Sequence, residues 1–185
     1  MKIRSILMAL AVLTTGGSVW SQGTIQFCNS TPGEYAPVID WWTRAPILPD
    51  PDLVVMLYVG QTTGSLSPVG AMTHFTSPGV FGEGLPATVV SLYPPGTFVF
   101  FEVRMWNSHG GTITSYEDAV QGDKSPTVKS EASFVTLGDA SSPLAAPGLV
   151  GLQPFLFPVP IPEPSSWAML GLGLGVLGFQ YRSRR

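Results

Sequence analysis

Few side chains in this sequence are spaced for chemistry. The two histidines, His74 and His109, stand thirty-five positions apart. One sits in an apparent strand and the other in the loop-like run Asn107-Ser108-His109-Gly110-Gly111. A zinc centre wants His or Cys at short spacing, so both read as packed or solvated side chains and no metal is expected. Asp50 and Asp52, in the run LPDPDL, offer two carboxylates. The glycine and distal glutamate of a calcium loop are absent, and Pro51 points to a turn. Glu117 and Asp118 are neighbours, which on a helix do not share a face, so they make a poor acid–base pair. Cys28 is the one cysteine. It excludes a disulfide within the chain and reads as a half-buried strand thiol, the alternative being an intermolecular bridge or a reactive thiol. There is no GxSxG and no nucleophile–histidine signature. The run GLGLGVLG (171–178) imitates a nucleotide loop but lacks the strand–helix context. Neither catalysis nor a cofactor is expected. What remains is aromatic. Trp41 and Trp42 are adjacent on a stretch read as extended, so one ring must face away from the core. Exposed aromatic rings bind sugar faces or partner proteins. Trp41, Trp42 and Trp106 are therefore candidate platforms for an exopolysaccharide, the alternative being rim residues covered by a loop.

The elements that would carry these residues are strands. In 185 residues, enough for one domain with a core, only 11% are charged, against about 25% in typical soluble domains. Glycine (21) and proline (18) are abundant, which suits an all-β domain with many turns. The clearest strand is TFVFFEVRMW (97–106). It puts Val99, Phe101, Val103 and Met105 on one face, and Phe98, Phe100, Glu102, Arg104 and Trp106 on the other. The first face reads as core and the second as partly solvated. LVVMLYVG (53–60) is apolar on both faces, which implies a central strand, with Gly60 opening a turn. TVVSLY (88–93) runs into the turn Pro94-Pro95-Gly96. Further candidates are 24–28, 38–42, 71–75, 112–114 and 133–137. Seven or eight short strands at this spacing suggest a β-sandwich-like domain over 22–140. A helical turn is expected at 115–120, capped by Ser115, with Glu117 and Asp118 in its first turn. In residues 141–160, GLVGLQPFLF (148–157) is a candidate last edge strand, Pro154 being tolerable only at an edge, and the rest reads as a stiff proline-rich spacer.

The two ends differ from the middle. Five of nine bases lie there: Lys2, Arg4, Arg182, Arg184 and Arg185. The stretch 22–160 has four bases against eleven acids, a net charge of −7. That argues against a nucleic-acid partner, which needs clustered Lys and Arg. Residues 1–21 read as a signal peptide, with Lys2 and Arg4 before the apolar run 6–13 and cleavage before Gln22. The expected partners of this segment are the Sec export machinery and signal peptidase. An uncleaved anchor is the alternative, but the run is short for a span.

Near the other end, Trp167 to Phe179 gives thirteen residues without a polar side chain. Extended to 165–181, a helix would reach roughly 26 Å, just short of the ~30 Å hydrocarbon core. Gly171, Gly173, Gly175 and Gly178 would each cost about 1 kcal/mol in an aqueous helix. In lipid the backbone has no water to bond instead. We therefore read 167–179 as a single membrane helix in contact with lipid. Trp167 and Tyr181 stand at its interfaces, and Arg182, Arg184 and Arg185 form a cytoplasmic basic anchor. Gly171 and Gly175 form a GxxxG pair, either incidental to the glycine richness or a dimer seam.

Pro162-Glu163-Pro164, then an apolar span, then terminal arginines resembles the PEP-CTERM sorting signal of exported bacterial proteins, over residues 161–185. The resemblance implies an exosortase substrate. The tail would hold the precursor in the inner membrane. Exosortase would process it near Pro162, Glu163 and Pro164, and the product would be released or attached at the cell surface. The physical pattern agrees, because prolines fix φ and keep the segment extended and accessible. The middle, with QGTIQF, VVMLYVG, PGTFVFFEVRMWN, SYEDAV and GLQPFLF before the tail, is similar to a layout of small exported proteins from verrucomicrobial-type bacteria. That second resemblance implies no activity.

Overall fold

The structure is a computed structural model, and it describes residues 22–121, 124–139 and 146–158. The expected signal peptide, sorting residues, membrane helix and basic anchor lie outside the described residues. Those described form an all-β fold with one short helix. Four strands come first: β1 (Gly23–Ile25), β2 (Ser30–Thr31), β3 (Glu34–Tyr35) and β4 (Val38–Asp40). Six follow: β5 (Leu53–Gly60), β6 (Ser67–Thr73), β7 (Phe75–Ser77), β8 (Val80–Phe81), β9 (Thr88–Val90) and β10 (Phe98–Asn107). After the helix α1 (Tyr116–Val120) come β11 (Thr127–Lys129), β12 (Ser133–Thr136), β13 (Gly138–Asp139) and β14 (Phe155–Phe157).

The two strands legible from their apolar patterns build the main sheet. β5 and β10 pair antiparallel from Asn107↔Leu53 to Phe100↔Gly60. β6 flanks β5, and β11 and β12 share the far edge of β10. Arg104 faces Lys129 and Phe101 faces Ser133. Three residues, 130–132, therefore span what β10 covers with Glu102 and Val103, a β-bulge. Ser130 fills the break. Its N–H donates to Val103 O (2.8 Å), and its hydroxyl accepts from Val103 N–H (3.0 Å).

On one face of this sheet the β5 and β10 side chains are buried. Val55, Leu57, Val59, Val99, Phe101, Val103 and Met105 join Ile25, Phe27, Val38, Phe81, Val90, Phe155 and Phe157 in one core. The second group comes from β1, β4, β8, β9 and β14 and the residues beside them. Glycine is required where this layer folds tightly. A Cβ on Gly82 (φ 72°) would fall 1.9 Å from Phe27 O, and one on Gly60 2.4 Å from Ser65 O. No side chain fits either place.

The opposite face of β10 is divided. At one end Trp106, Val54, Ile113 and Ala119 form a second buried cluster, with Tyr116 and Met56 packed against it. Helix α1 closes this cluster, and its Ser115 cap accepts from Asp118 N–H (3.0 Å). At the other end Phe98 and Phe134 lie exposed, their rings 5.0 Å apart.

Several expectations need correction. Residues 112–114 form no strand. Ile113 N–H turns back to Ser108 O and Ile113 O accepts from the Trp106 indole, so its backbone is taken. The strand expected at 24–28 ends at Ile25, and Cys28 lies beyond it, buried, with its thiol on Ser30 O. Burial pushes that thiol's pKa up, which disfavours the reactive thiolate. The expected last edge strand forms as β14, and the residues before it pack with the domain. Leu149, Leu152, Phe155 and Phe157 are in the core, and β14 pairs in parallel with β4 from Phe155↔Val38 to Phe157↔Asp40. Pro154 stands just before that strand, where its missing N–H costs no ladder bond.

Candidate functional site

The exposed tryptophans sit on a hairpin turn rather than an extended stretch. β4 folds back so that Ile39 pairs with Pro46 and Asp40 N–H reaches Ala45 O (2.9 Å). The connection is Trp41-Trp42-Thr43-Arg44. Asp40 organises it by accepting from Trp42 N–H (2.7 Å) and Thr43 N–H (2.8 Å) through Oδ1, the local side-chain-to-backbone bonding that favours Asp at turns. Arg44 closes the loop at φ 58°, with its N–H on Asp40 O (3.0 Å) and its guanidinium 5.0 Å from the Trp41 ring centre. Trp41 is 47% and Trp42 59% exposed, so both rings, not one, face solvent.

The other edge of β4 carries β14. Because the pair is parallel, both strands end on the same side, and Trp41 N–H donates to Phe157 O (3.0 Å). The tryptophan turn therefore stands where the chain passes Phe157 and Pro158 towards its C-terminal segment. Sequence patterns could not bring Trp41 and Phe157 together.

The turn's dependence on Asp40 is testable. The two amide bonds, Thr43 foremost, hold the Asp40 carboxyl pKa below its usual value. Because the folded pKa is depressed, this stabilisation is complete above the unfolded-state value, about 3.9. It fades as pH falls through the lower folded value. Asp40→Ala is expected to cost about 1 kcal/mol or less, as for an exposed cap. Urea unfolding at neutral pH and in acid checks this, since the difference between variants should shrink in acid.

Trp106 is corrected as a candidate platform. It is fully buried, and its indole N–H donates to Ile113 O (3.1 Å), the partner that an enclosed indole requires. The other candidates are also placed. Asp50 Oδ1 accepts from Asp52 N–H and Asp52 Oδ1 from Gly110 N–H, so both carboxylates brace backbone turns. His74 Nδ1 lies 3.2 Å from Leu53 O. His109 is in an exposed turn at φ 47°. Among the described residues no cluster of three His, Cys, Asp or Glu could hold a metal ion. Glu117 and Asp118 take different partners: Glu117 binds Arg104 and Tyr58, and Asp118 binds Lys124.

The covered face of β10 holds the densest charge. Arg104 Nε lies 2.6 Å from Glu102 and its Nη1 2.7 Å from Glu117, while Lys129 approaches Glu102 at 3.5 Å. The Arg104 guanidinium stacks 3.9 Å from the Tyr58 ring centre and 5.1 Å from that of Tyr116. Tyr58 donates to Glu117 (2.9 Å). Burial first, then this carboxylate, pushes the phenol pKa well above the ordinary tyrosine value. Every acid in the group is matched by a base, so its work is to pin α1 on the sheet.

Comparison with known proteins bears on the C-terminal end. Residues 160–185 match the family model of the PEP-CTERM protein-sorting motif. The chain carries a PEP-CTERM sorting signal. It begins two positions after Pro158, the last described residue. Such a signal implies export, a membrane-anchored sorting segment and sorting by exosortase. No curated protein and no solved structure matches the chain. Among the described residues no helix is long and apolar enough to cross a membrane.

Proposed function

We propose that this PEP-CTERM protein is a non-catalytic component of the cell surface or extracellular matrix, built as a β-sandwich-like domain. The leader 1–21 directs it through the Sec machinery and is removed by signal peptidase. The span 167–179 holds it in the inner membrane, with Arg182, Arg184 and Arg185 on the cytoplasmic side. Exosortase reads Pro162, Glu163 and Pro164. The reading is carried by the sorting motif at 160–185 directly behind a packed β body. The exopolysaccharide-binding alternative loses Trp106 to burial and rests on Trp41 and Trp42 alone.

An immunoblot of fractions from the native host tests this, with one epitope inside the β domain and one after Arg185. The mature protein is expected to lose the C-terminal epitope and to appear at the surface or in the medium. Glu163→Gln is expected to hold it in the inner membrane. Both epitopes remaining together in the membrane in the wild type would mean that the tail is a plain anchor.

A further inference from the structure

We infer that the turn Trp41-Trp42-Thr43-Arg44 is a membrane-docking element that holds the uncleaved precursor against the lipid interface. This rests on the reading of 167–179 as a span. The parallel pairing of β4 and β14 puts the turn at the end of the domain where the chain departs at Pro158. From Pro158 to Trp167 there are nine residue steps, and a fully extended chain covers at most about 30 Å over that length. While the tail is intact, this end of the domain stays within that distance of the bilayer. Two exposed indoles are then presented where tryptophan prefers to lie, with the ring in the interfacial layer and the N–H wet. Arg44, stacked on Trp41, offers a cation to the phosphate layer.

Charge elsewhere argues that the contact is aromatic and not electrostatic. The stretch 22–160 carries −7, so an anionic surface would repel it as a whole. The lipid partner is therefore a neutral, zwitterionic phospholipid interface, for which phosphatidylcholine is the probe. The tether makes a weak contact sufficient, because a short linker gives an effective concentration of roughly millimolar order. Docking would hold 159–164, including Pro162-Glu163-Pro164, beside the bilayer. Cleavage would remove the tether and release the domain.

The test uses the purified full-length chain in phosphatidylcholine vesicles with bromine on the acyl chains, which quenches nearby indoles. Emission is compared with that in plain vesicles for the wild type, Trp41→Phe/Trp42→Phe and Trp167→Phe. An unchanged circular-dichroism spectrum verifies that the variants remain folded. Docking is supported if the bromines remove most of the emission that Trp41 and Trp42 contribute. It is overturned, with the span intact, if Trp167 is quenched and the Trp41/Trp42 contribution is not. If Trp167 is not quenched, the span reading falls, and the tethered docking with it. Trp41 and Trp42 emission that ignores the bromines but shifts on adding host exopolysaccharide makes the pair a sugar platform, and this too overturns lipid docking.

Discussion

Replacing Asn29 with alanine is expected to remove about 2–6 kcal/mol of stability, the cost of stranding two buried backbone groups, Ala36 O and Phe81 N–H, at ~1–3 kcal/mol each, while Gly79 O keeps the Val38 N–H. The Asn29 side chain is almost fully enclosed. Its amide donates to Ala36 O (2.9 Å) and Gly79 O (2.8 Å), and its carbonyl accepts from Phe81 N–H (2.9 Å). Those partners lie beside or within β3, β4 and β8, so one side chain ties together the layer that faces the main sheet. A loss of this size is a large share of the ~5–15 kcal/mol typical of a domain. Thermal or urea unfolding, followed by circular dichroism, measures it. Asn29→Asp is a sharper test. One carboxylate oxygen still accepts from Phe81, but the other turns an acceptor against two carbonyls. Its folded pKa must then rise above the unfolded value, so stability is lost as pH rises through the folded pKa and recovers in acid. A loss below about 1 kcal/mol for Asn29→Ala would mean that water or a backbone shift satisfies both stranded groups.

Arg104→Met is expected to cost about 3–5 kcal/mol, the usual penalty for removing one partner of a buried ion pair. Glu102 is 4% exposed, and without Arg104 it keeps only Lys129 at 3.5 Å. The change also removes the cation between Tyr58 and Tyr116 and one of the contacts that hold α1 through Glu117. The double variant Arg104→Met/Glu102→Leu should recover much of the loss, since a well-packed apolar pair can match a buried ion pair. Denaturant midpoints for the two single variants and the double variant form the cycle that checks this. If the double variant is no more stable than Arg104→Met, the penalty came from the aromatic stack and the helix, not from a stranded carboxylate.

The features legible in the sequence are those that local pattern specifies. β5 and β10 were readable because each is long enough for its side-chain period to appear. The buried face of Val99, Phe101, Val103 and Met105 follows from that period alone. The Ser115 cap and the sorting signal are likewise runs of neighbouring residues. The second face of β10 was not readable. Alternation separates two faces but does not say what covers them, and only tertiary packing buries Glu102 and Trp106 while leaving Phe98 exposed. Strands of two or three residues, such as β2, β3, β8 and β13, are too short to carry a period. Asn29 looks like any turn residue until partners up to 52 positions away reach it.

The sequence by itself determined an acidic, all-β middle between two ends with targeting patterns, because composition and contiguous motifs need no fold to be read. The tertiary structure alone decided where the tryptophans lie. The pairing of Val38 with Phe155 crosses more than a hundred residues, and no local preference encodes it. Shared burial of β4 and β14 in one core aligns their ends, and that alignment sets Trp41 and Trp42 beside the chain's exit.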